Sequence, residues 1–325
     1  MKKNIAVVMG GYSSEFQISI NSGTVVCNAL DKNLYNVYPI HILKEGWFYM
    51  PDETKRVPVN RHNFSFETHN GTVIPDAVFN AIHGTPGEDG YLQAYWELLK
   101  IPHTGCDYYA SALSFNKRDC LSVLKNFQIN CANSFYINKG DAIDKTEIIK
   151  KVGLPCFVKP NRSGSSFGVS KVHTMEEIEE ALEKAFTEDP QVIIETALLG
   201  DEVQVGVFNN GDEIIALPPT EIVTENEFFD YGAKYLGQSD EITPARISET
   251  LTTILQNEAK RIYKLLNMKG ITRSDFIIQD GKPYFLEINT NPGLSTESII
   301  PKQVRAAGMT LTEFFGILTE NALKK

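Results

Sequence analysis

Ile271-Thr272-Arg273-Ser274-Asp275-Phe276-Ile277-Ile278-Gln279-Asp280-Gly281-Lys282-Pro283-Tyr284-Phe285-Leu286-Glu287-Ile288-Asn289-Thr290 alternates apolar and polar residues on either side of Asp280-Gly281. Such alternation marks a β-hairpin, and the turn type sets which side chains share a face. With a two-residue turn, Asp275 falls on the face of Tyr284, Leu286 and Ile288, which buries a carboxylate among apolar groups. With the three-residue loop Gln279-Asp280-Gly281, Gly281 takes the left-handed position, Ile278 pairs with Lys282 and the faces separate. We expect the second arrangement. One face then carries Phe276, Ile278, Tyr284, Leu286 and Ile288. The other carries Arg273, Asp275, Glu287 and Asn289, with Arg273 opposite Glu287 and Asp275 diagonal to it.

Two carboxylates, an amide oxygen and a guanidinium on one surface are a dense set of hard donors, which suits magnesium held jointly by protein, water and phosphate. Periodicity also allows a solvated strand face with a surface ion pair. The segment that follows, Asn289-Thr290-Asn291-Pro292-Gly293-Leu294-Ser295, is an irregular turn that sets backbone amides and hydroxyls beside the carboxylates. That placement favours a site.

Upstream, Val158-Lys159-Pro160-Asn161-Arg162-Ser163-Gly164-Ser165-Ser166-Phe167-Gly168-Val169 puts a lysine on a strand end before a loop of small donors. Glycines let amides approach phosphate closely, and the lysine supplies charge. No Gly-Lys-Ser/Thr opens a helix, so this is not a Walker A loop, and by itself it could be an ordinary hairpin connection. Met9-Gly10-Gly11 likewise lacks the GxGxxG spacing of a dinucleotide-binding turn.

Further outward, Ile5 to Val8 reads as a buried strand, with Ser14-Glu15-Phe16-Gln17 as a capping box that opens a helix. Strands near Val37 to Ile42 and Ala77 to Ile82 and a helix near Tyr91 to Leu99 complete an alternating pattern, as in a small parallel sheet. From about Cys106 the rhythm changes. A helix is expected over Ala112 to Phe127, strands at Ser134 to Ile137, Cys156 to Lys159 and Val169 to Val172, a helix over Met175 to Phe186 and a strand at Val192 to Glu195. Hairpins and helices near Leu251 to Leu266 and Thr310 to Leu323 follow.

At 325 residues the chain is large enough for two or three domains with clefts between them. A net charge of -10 argues against a nucleic-acid footprint. The five cysteines contain no CxxC pair, which points to reduced buried thiols rather than zinc or redox work. The apolar run after Lys2-Lys3 is too short for a secretion signal, and no stretch approaches the roughly 20 apolar residues of a membrane span. We expect a cytoplasmic protein with no membrane or nucleic-acid partner.

Taken in order, these motifs resemble the D-alanine:D-alanine ligase family across essentially the whole chain. Gly10-Gly11-Tyr12-Ser13-Ser14-Glu15 with Ser19 and Asn21-Ser22-Gly23 is similar to the family's opening motif, and His83-Gly84-Thr85-Pro86-Gly87-Glu88-Asp89-Gly90 to its second. Tyr231-Gly232-Ala233-Lys234-Tyr235 resembles its substrate loop and Glu287 to Gly293 its last signature. The resemblance implies a mixed α/β and α+β chain: an N-terminal Rossmann-like parallel-sheet domain (1–105), then an ATP-grasp fold in central (106–195) and C-terminal (196–325) subdomains. It implies ATP and D-alanine as substrates, two Mg2+ ions that Mn2+ can replace, and a homodimer.

The resemblance also assigns roles. Lys117 and Lys159 would hold phosphates, Ser165, Ser166 and Gly168 would form the loop over them with Lys234, and Glu195, Leu198 and Glu202 would contact adenine and ribose. Asp275, Glu287 and Asn289 would carry the magnesium ions. Glu15 would bind the first substrate's ammonium, tied to Ser165 and Tyr235. Arg273 and the Gly293 amide would stabilise the oxyanion, and Ser298 with Gly293 would hold the second carboxylate, with His83 nearby. Thr196 and Glu297 depart from common family residues, a lysine and a histidine. The phenol of Tyr235 fits D-alanine-specific members; a D-alanine:D-lactate ligase is the alternative, and a non-catalytic ATP-binding regulator of the same fold is a rival of another class.

Overall fold

The apolar run after Lys3 becomes β1 (Lys3–Gly10), with Ile5, Ala6, Val7 and Val8 fully buried. The computed structural model describes residues 1–52, 54–164, 166–224 and 239–324. Ser165, Lys234 and Tyr235 lie outside the described residues. The N-terminal unit continues with β2 (Tyr35–Leu43), β3 (Gly46–Tyr49), β4 (Val57–Pro58), a separate hairpin of β5 (Phe66–Thr68) and β6 (Gly71–Val73), and β7 (Ala77–Asn80). Its helices are α1 (Phe16–Ala29) and α2 (Tyr91–Leu98). The five-stranded sheet has the order β4-β3-β2-β1-β7. Its β1 pairs in parallel with β2 and β7, whereas β3 and β4 add an antiparallel edge. The expected capping box does not form. Helix α1 begins at Phe16 with Glu15 at the cap position and no side-chain cap bond, and Gln17 bonds Asn21 instead.

The single helix expected over Ala112 to Phe127 is two: α3 (Tyr108–Phe115) and α4 (Lys117–Asn126). Asn116 breaks it. Its extended backbone ends one helix while its side chain accepts from the Asp119 amide and caps the next, as asparagine favours. The middle sheet, with the order β10-β9-β11-β8, consists of β8 (Ser134–Asn138), β9 (Cys156–Pro160), β10 (Ser170–Val172) and β11 (Gln191–Thr196). Helices α5 (Lys145–Val152) and α6 (Ile178–Ala185) cover it, and Ile148, Val158, Ile178, Leu182 and Ile194 share one core.

The third sheet carries β12 (Asp201–Asn210), β13 (Glu213–Ala216), β14 (Thr220–Thr224), β15 (Ser239–Ile242), β16 (Ile271–Gln279) and β17 (Lys282–Asn289), in the order β15-β14-β12-β16-β17 with β13 on β12. Helix α7 (Glu249–Leu265) packs on it; α8 (Ile299–Ala306) and α9 (Leu311–Leu323) close the chain. Phe314 and Phe315 of α9 share a core with Ile5, Val7 and Phe79 of the first sheet and Phe208 of the third. The first and third units are thereby joined by apolar packing. Among the described residues no helix is long and apolar enough to cross a membrane.

The β16–β17 hairpin corrects the expected register. Gln279 pairs with Lys282, so the turn is the two-residue Asp280-Gly281, with φ of 52° and 72°. This is the primed geometry that matches strand twist. The sidedness is rescued by a β-bulge: Phe276 pairs with Phe285, yet Asp275 pairs with Glu287 and Arg273 with Asn289. Leu286 is the extra residue. It and Glu287 therefore both line the cleft, while Phe276, Phe285 and Ile288 enter the core beneath α7. Leu286, expected on the buried face, is thus a cleft residue.

Candidate active site

Between the middle and third sheets lies a cavity of about 570 Å³. Phe157, Leu198, Ile222, Ile277 and Leu286 make one part of its wall apolar, while Lys117, Lys159, Glu195, Glu202, Asp275 and Glu287 charge the rest. Lys159 projects from β9 and pairs with the buried Glu195 of β11 at 3.0 Å, which its cross-strand neighbourhood permits. Burial alone would lower the Lys159 pKa, but the carboxylates of Glu195, Glu287 and Glu202 outweigh it and hold the ammonium above its usual value. Lys117, at the start of α4, reaches Glu287 at 3.3 Å and donates to the Ser163 carbonyl at 2.8 Å. Two cations from two elements thus meet the glycine–serine loop at one end of an apolar slot. A flat heteroaromatic ring with a polyphosphate fits that arrangement.

Along β16, Arg273 grips Asp275 with two bonds of 2.8 Å, and across the ladder the Asn289 side-chain amide donates to the same carboxylate at 3.4 Å. Asp275 is only 3% exposed. Facing Glu287 in register, it completes a set of hard oxygen donors at the cavity wall. Two carboxylates and an amide oxygen are a donor set that fits a hard cation such as Mg2+, and would leave its other positions to phosphate and water.

A second cavity, of about 290 Å³, abuts the first and shares Glu287 with it. Glu15, His83, Glu88, Arg273, Asn289, Gly293, Glu297 and Ser298 line it. The glycine–serine loop reaches this cavity too: a Cβ on Gly164 would lie 2.7 Å from the Glu15 carboxylate. Gly293 is equally constrained, since a Cβ there would meet Ser298 Oγ at 2.8 Å. Ser298 stands at the N-cap of α8 without a side-chain cap bond, its hydroxyl tied to Ser295 at 2.7 Å.

The His83 ring is buried and doubly bonded, Nδ1 to the Asn291 carbonyl at 2.7 Å and Nε2 to Ser22 at 2.9 Å. A carbonyl can only accept, so Nδ1 carries the proton. Burial lowers the ring's pKa, against the opposing pull of the Glu15 carboxylate. Both nitrogens are therefore engaged within the protein, and His83 shapes the cavity by holding the turn of Asn291.

The structure brings Glu15, Arg273, Gly293 and Ser298 to the smaller cavity, and Lys117, Lys159, Ser166, Glu195, Leu198, Glu202, Asp275 and Glu287 to the larger; Asn289 lines the smaller. Gly168 is different: at φ 71° it packs on Pro160 and Glu188 as a turn residue rather than lining either cavity. Thr196 lines the larger cavity but commits its hydroxyl to the Val152 carbonyl at 2.6 Å. The residue the motif reading missed is Glu88. It is 8% exposed and accepts from the amides of Gly84 at 3.0 Å, Thr290 at 3.2 Å and Asn291 at 3.4 Å. Burial and the Glu15 carboxylate push its pKa up to about 7. It stood inside the quoted His83–Gly90 motif, but only the fold reveals that it bonds a turn some 200 residues away.

Two sheets that enclose a nucleotide-sized slot, lysines from separate elements at its phosphate end and a carboxylate pair on the facing hairpin define an ATP-grasp ligase. Family models agree on both halves: "D-ala D-ala ligase N-terminus" matches residues 4–106 and "D-ala D-ala ligase C-terminus" residues 123–320. The D-alanine--D-alanine ligase of Flavobacterium johnsoniae is 58% identical over 96% of this chain and 97% of its own. That of Christiangramia forsetii is 55% identical over the full length of both. Among solved structures, the D-Ala:D-Ser ligase VanG from Enterococcus faecalis has a TM-score of 0.87 at 31% identity, covering 98% of this chain and 99% of its own. D-alanyl-alanine synthetase A from Vibrio cholerae has a TM-score of 0.89 at 28% identity, covering 100% and 99%. The chain belongs to the D-alanine–D-alanine ligase family.

Proposed function

We propose that this chain joins two molecules of D-alanine into D-alanyl-D-alanine for peptidoglycan precursors, converting ATP to ADP and phosphate through an acyl phosphate. The carrying observation is that a nucleotide-sized cavity and a small polar cavity meet at Glu287. We also propose the partition 1–105, 106–195 and 196–325 for the three functional units, a homodimer, and a cytoplasmic location where ATP is supplied.

A carboxylate becomes a competent acyl donor only when its oxygen is converted into a leaving group, and transfer of the terminal phosphoryl does this. Lys117 and Lys159 orient the phosphates, and the apolar wall at Leu198 and Leu286 receives the base. Asp275, Glu287 and Asn289 would hold Mg2+, which supplies charge neutralisation for phosphoryl transfer. Glu15 takes the ammonium of the first D-alanine. The second, seated by Ser298 and the Gly293 amide at the start of α8, attacks the acyl phosphate as a neutral amine. Arg273, held rigid by Asp275, is aimed at the oxyanion that forms. Phosphate then leaves. Closure of the glycine–serine loop over the phosphates keeps water from the intermediate.

The test is product analysis with ATP, Mg2+ and single D-amino acids. D-alanine alone should sustain ADP release and yield the dipeptide, while added D-lactate should give little depsipeptide at neutral pH. Glu287→Gln should abolish ADP formation. Absence of turnover with every D-amino acid would favour a non-catalytic ATP-binding protein, and a dominant depsipeptide or D-serine product would reassign the second substrate.

A further inference from the structure

Every helix begins with amide groups that have no partner inside the helix. In α4, which carries Lys117 as its first residue, the first two of those amides are satisfied by a residue at the end of β9. The Lys117 amide donates to the Asn161 backbone carbonyl at 3.2 Å, and the Arg118 amide to Asn161 Oδ1 at 2.8 Å. The third, of Asp119, donates to Asn116 Oδ1 at 3.1 Å. Asn161 stands where β9 ends and the glycine–serine loop starts, so it caps a helix at an amide 43 residues away.

Its remaining groups are equally committed. Nδ2 donates to Asn116 Oδ1 at 2.8 Å and Gln191 Oε1 at 3.2 Å, and its amide donates to the Gln191 carbonyl at 2.9 Å. The residue is 1% exposed. The next residue is fastened as well: the buried Asp189 accepts from the Arg162 amide at 2.9 Å and from its guanidinium at 2.9 and 3.1 Å. The root of the loop and the start of α4 therefore form one body, from which Lys117 reaches the Ser163 carbonyl.

We propose that Asn161 is a positioning residue for nucleotide binding: by capping α4 from the root of the glycine–serine loop, it fixes the distance between Lys117 and that loop. The assignment rests on the reading of this cavity as the ATP site. Its polarity is forced. Asn116 Oδ1 is held as an acceptor by the Asp119 amide, so an acceptor at the Asn161 Nδ2 position faces an acceptor there, and Gln191 can donate to it only by turning its side-chain amide away from Asn138.

The experiment separates this from the wider reading. Calorimetric titration of the wild-type chain with ATP tests the cavity by itself. Asn161→Asp, the same shape with its donors replaced by an acceptor, should weaken ATP binding about tenfold while the KM for D-alanine changes less than about twofold, a loss on the scale of one buried unsatisfied group. Ile148→Ala, in the middle sheet's own core, should lower the melting temperature and leave the ATP affinity intact. If Asn161→Asp does not accumulate as folded protein, Gln191→Ala, which withdraws one acceptor, should weaken ATP binding about threefold. Unchanged ATP affinity in a folded variant of a chain that binds ATP, or an equal loss in Ile148→Ala, overturns the assignment.

Discussion

Glu88 shows how a carboxylate can be structural and still govern a site. One oxygen accepts from Gly84 in the first unit and the other from Thr290 and Asn291 in the third, so it sets the width of the smaller cavity. Its pKa is raised from the usual 4.5 to about 7, mainly by burial. The folded chain then binds this proton more tightly than the unfolded one. Its contribution is fully present below about pH 4.5 and is lost as pH rises through 7, a swing of about 3 kcal/mol. Urea denaturation of wild type and Glu88→Gln across pH 4.5 to 8 checks this: the stability of wild type relative to the variant should decline along that range. Gly293 offers a second residue-scale test. Gly293→Ala places a methyl against Ser298 Oγ, where the Cβ would lie at 2.8 Å, and should raise the KM for D-alanine at the second subsite with little effect on the KM for ATP.

At the scale of the element, the β16–β17 hairpin carries the face of Asp275 and Glu287 that lines the cleft, and two local features fix it. The turn needs left-handed backbone at both central residues, and a Cβ on Gly281 would meet nothing within 4 Å. Gly281→Ala therefore tests conformation without contact, and should cost about 1 kcal/mol in denaturant unfolding. The bulge at Leu286 turns two consecutive residues toward the cleft, an apolar one for the slot and an acidic one facing Asp275. Leu286→Ala should raise the KM for ATP several-fold, in the range of a lost apolar contact, and leave the pairing of Asp275 with Glu287 in place. Alternation showed that carboxylates share a face. It pointed to the wrong loop because a bulge adds a residue without any residue type that announces it. The break at Asn116 was missed for a related reason: an asparagine within a helical pattern becomes a cap only once the next helix has somewhere to go.

For the whole molecule, apolar packing couples the units unequally. Phe314 and Phe315 bind the first and third sheets into a shared core, and the bonds from Glu88 and His83 to the Thr290–Asn291 turn reinforce that union. The middle sheet has a core of its own beneath α5 and α6, and from its other face adds Ile193 to the core of the third sheet. Phe315→Ala should destabilise the chain by about 3–5 kcal/mol, read as a lowered denaturation midpoint. ATP at a hundred times its Kd should stabilise the fold by about 2.7 kcal/mol, with added hydrogen-exchange protection in the stretches from Lys159 and from Glu195 that line the cleft.

Alternation, glycine placement and the ordered motifs by themselves determined the family, an α/β unit followed by a change of rhythm into further strands and hairpins, and the residue types that line the larger cavity. Those are local or compositional facts, written in neighbouring residues. Only the tertiary structure decided that Leu286 faces the slot, that Gly168 packs on Pro160, that His83 spends both nitrogens inside the protein, and that Glu88 and Asn161 bridge distant segments. Each depends on which chain segments meet in space, and burial and hydrogen-bond partners are set by that meeting rather than by residue type.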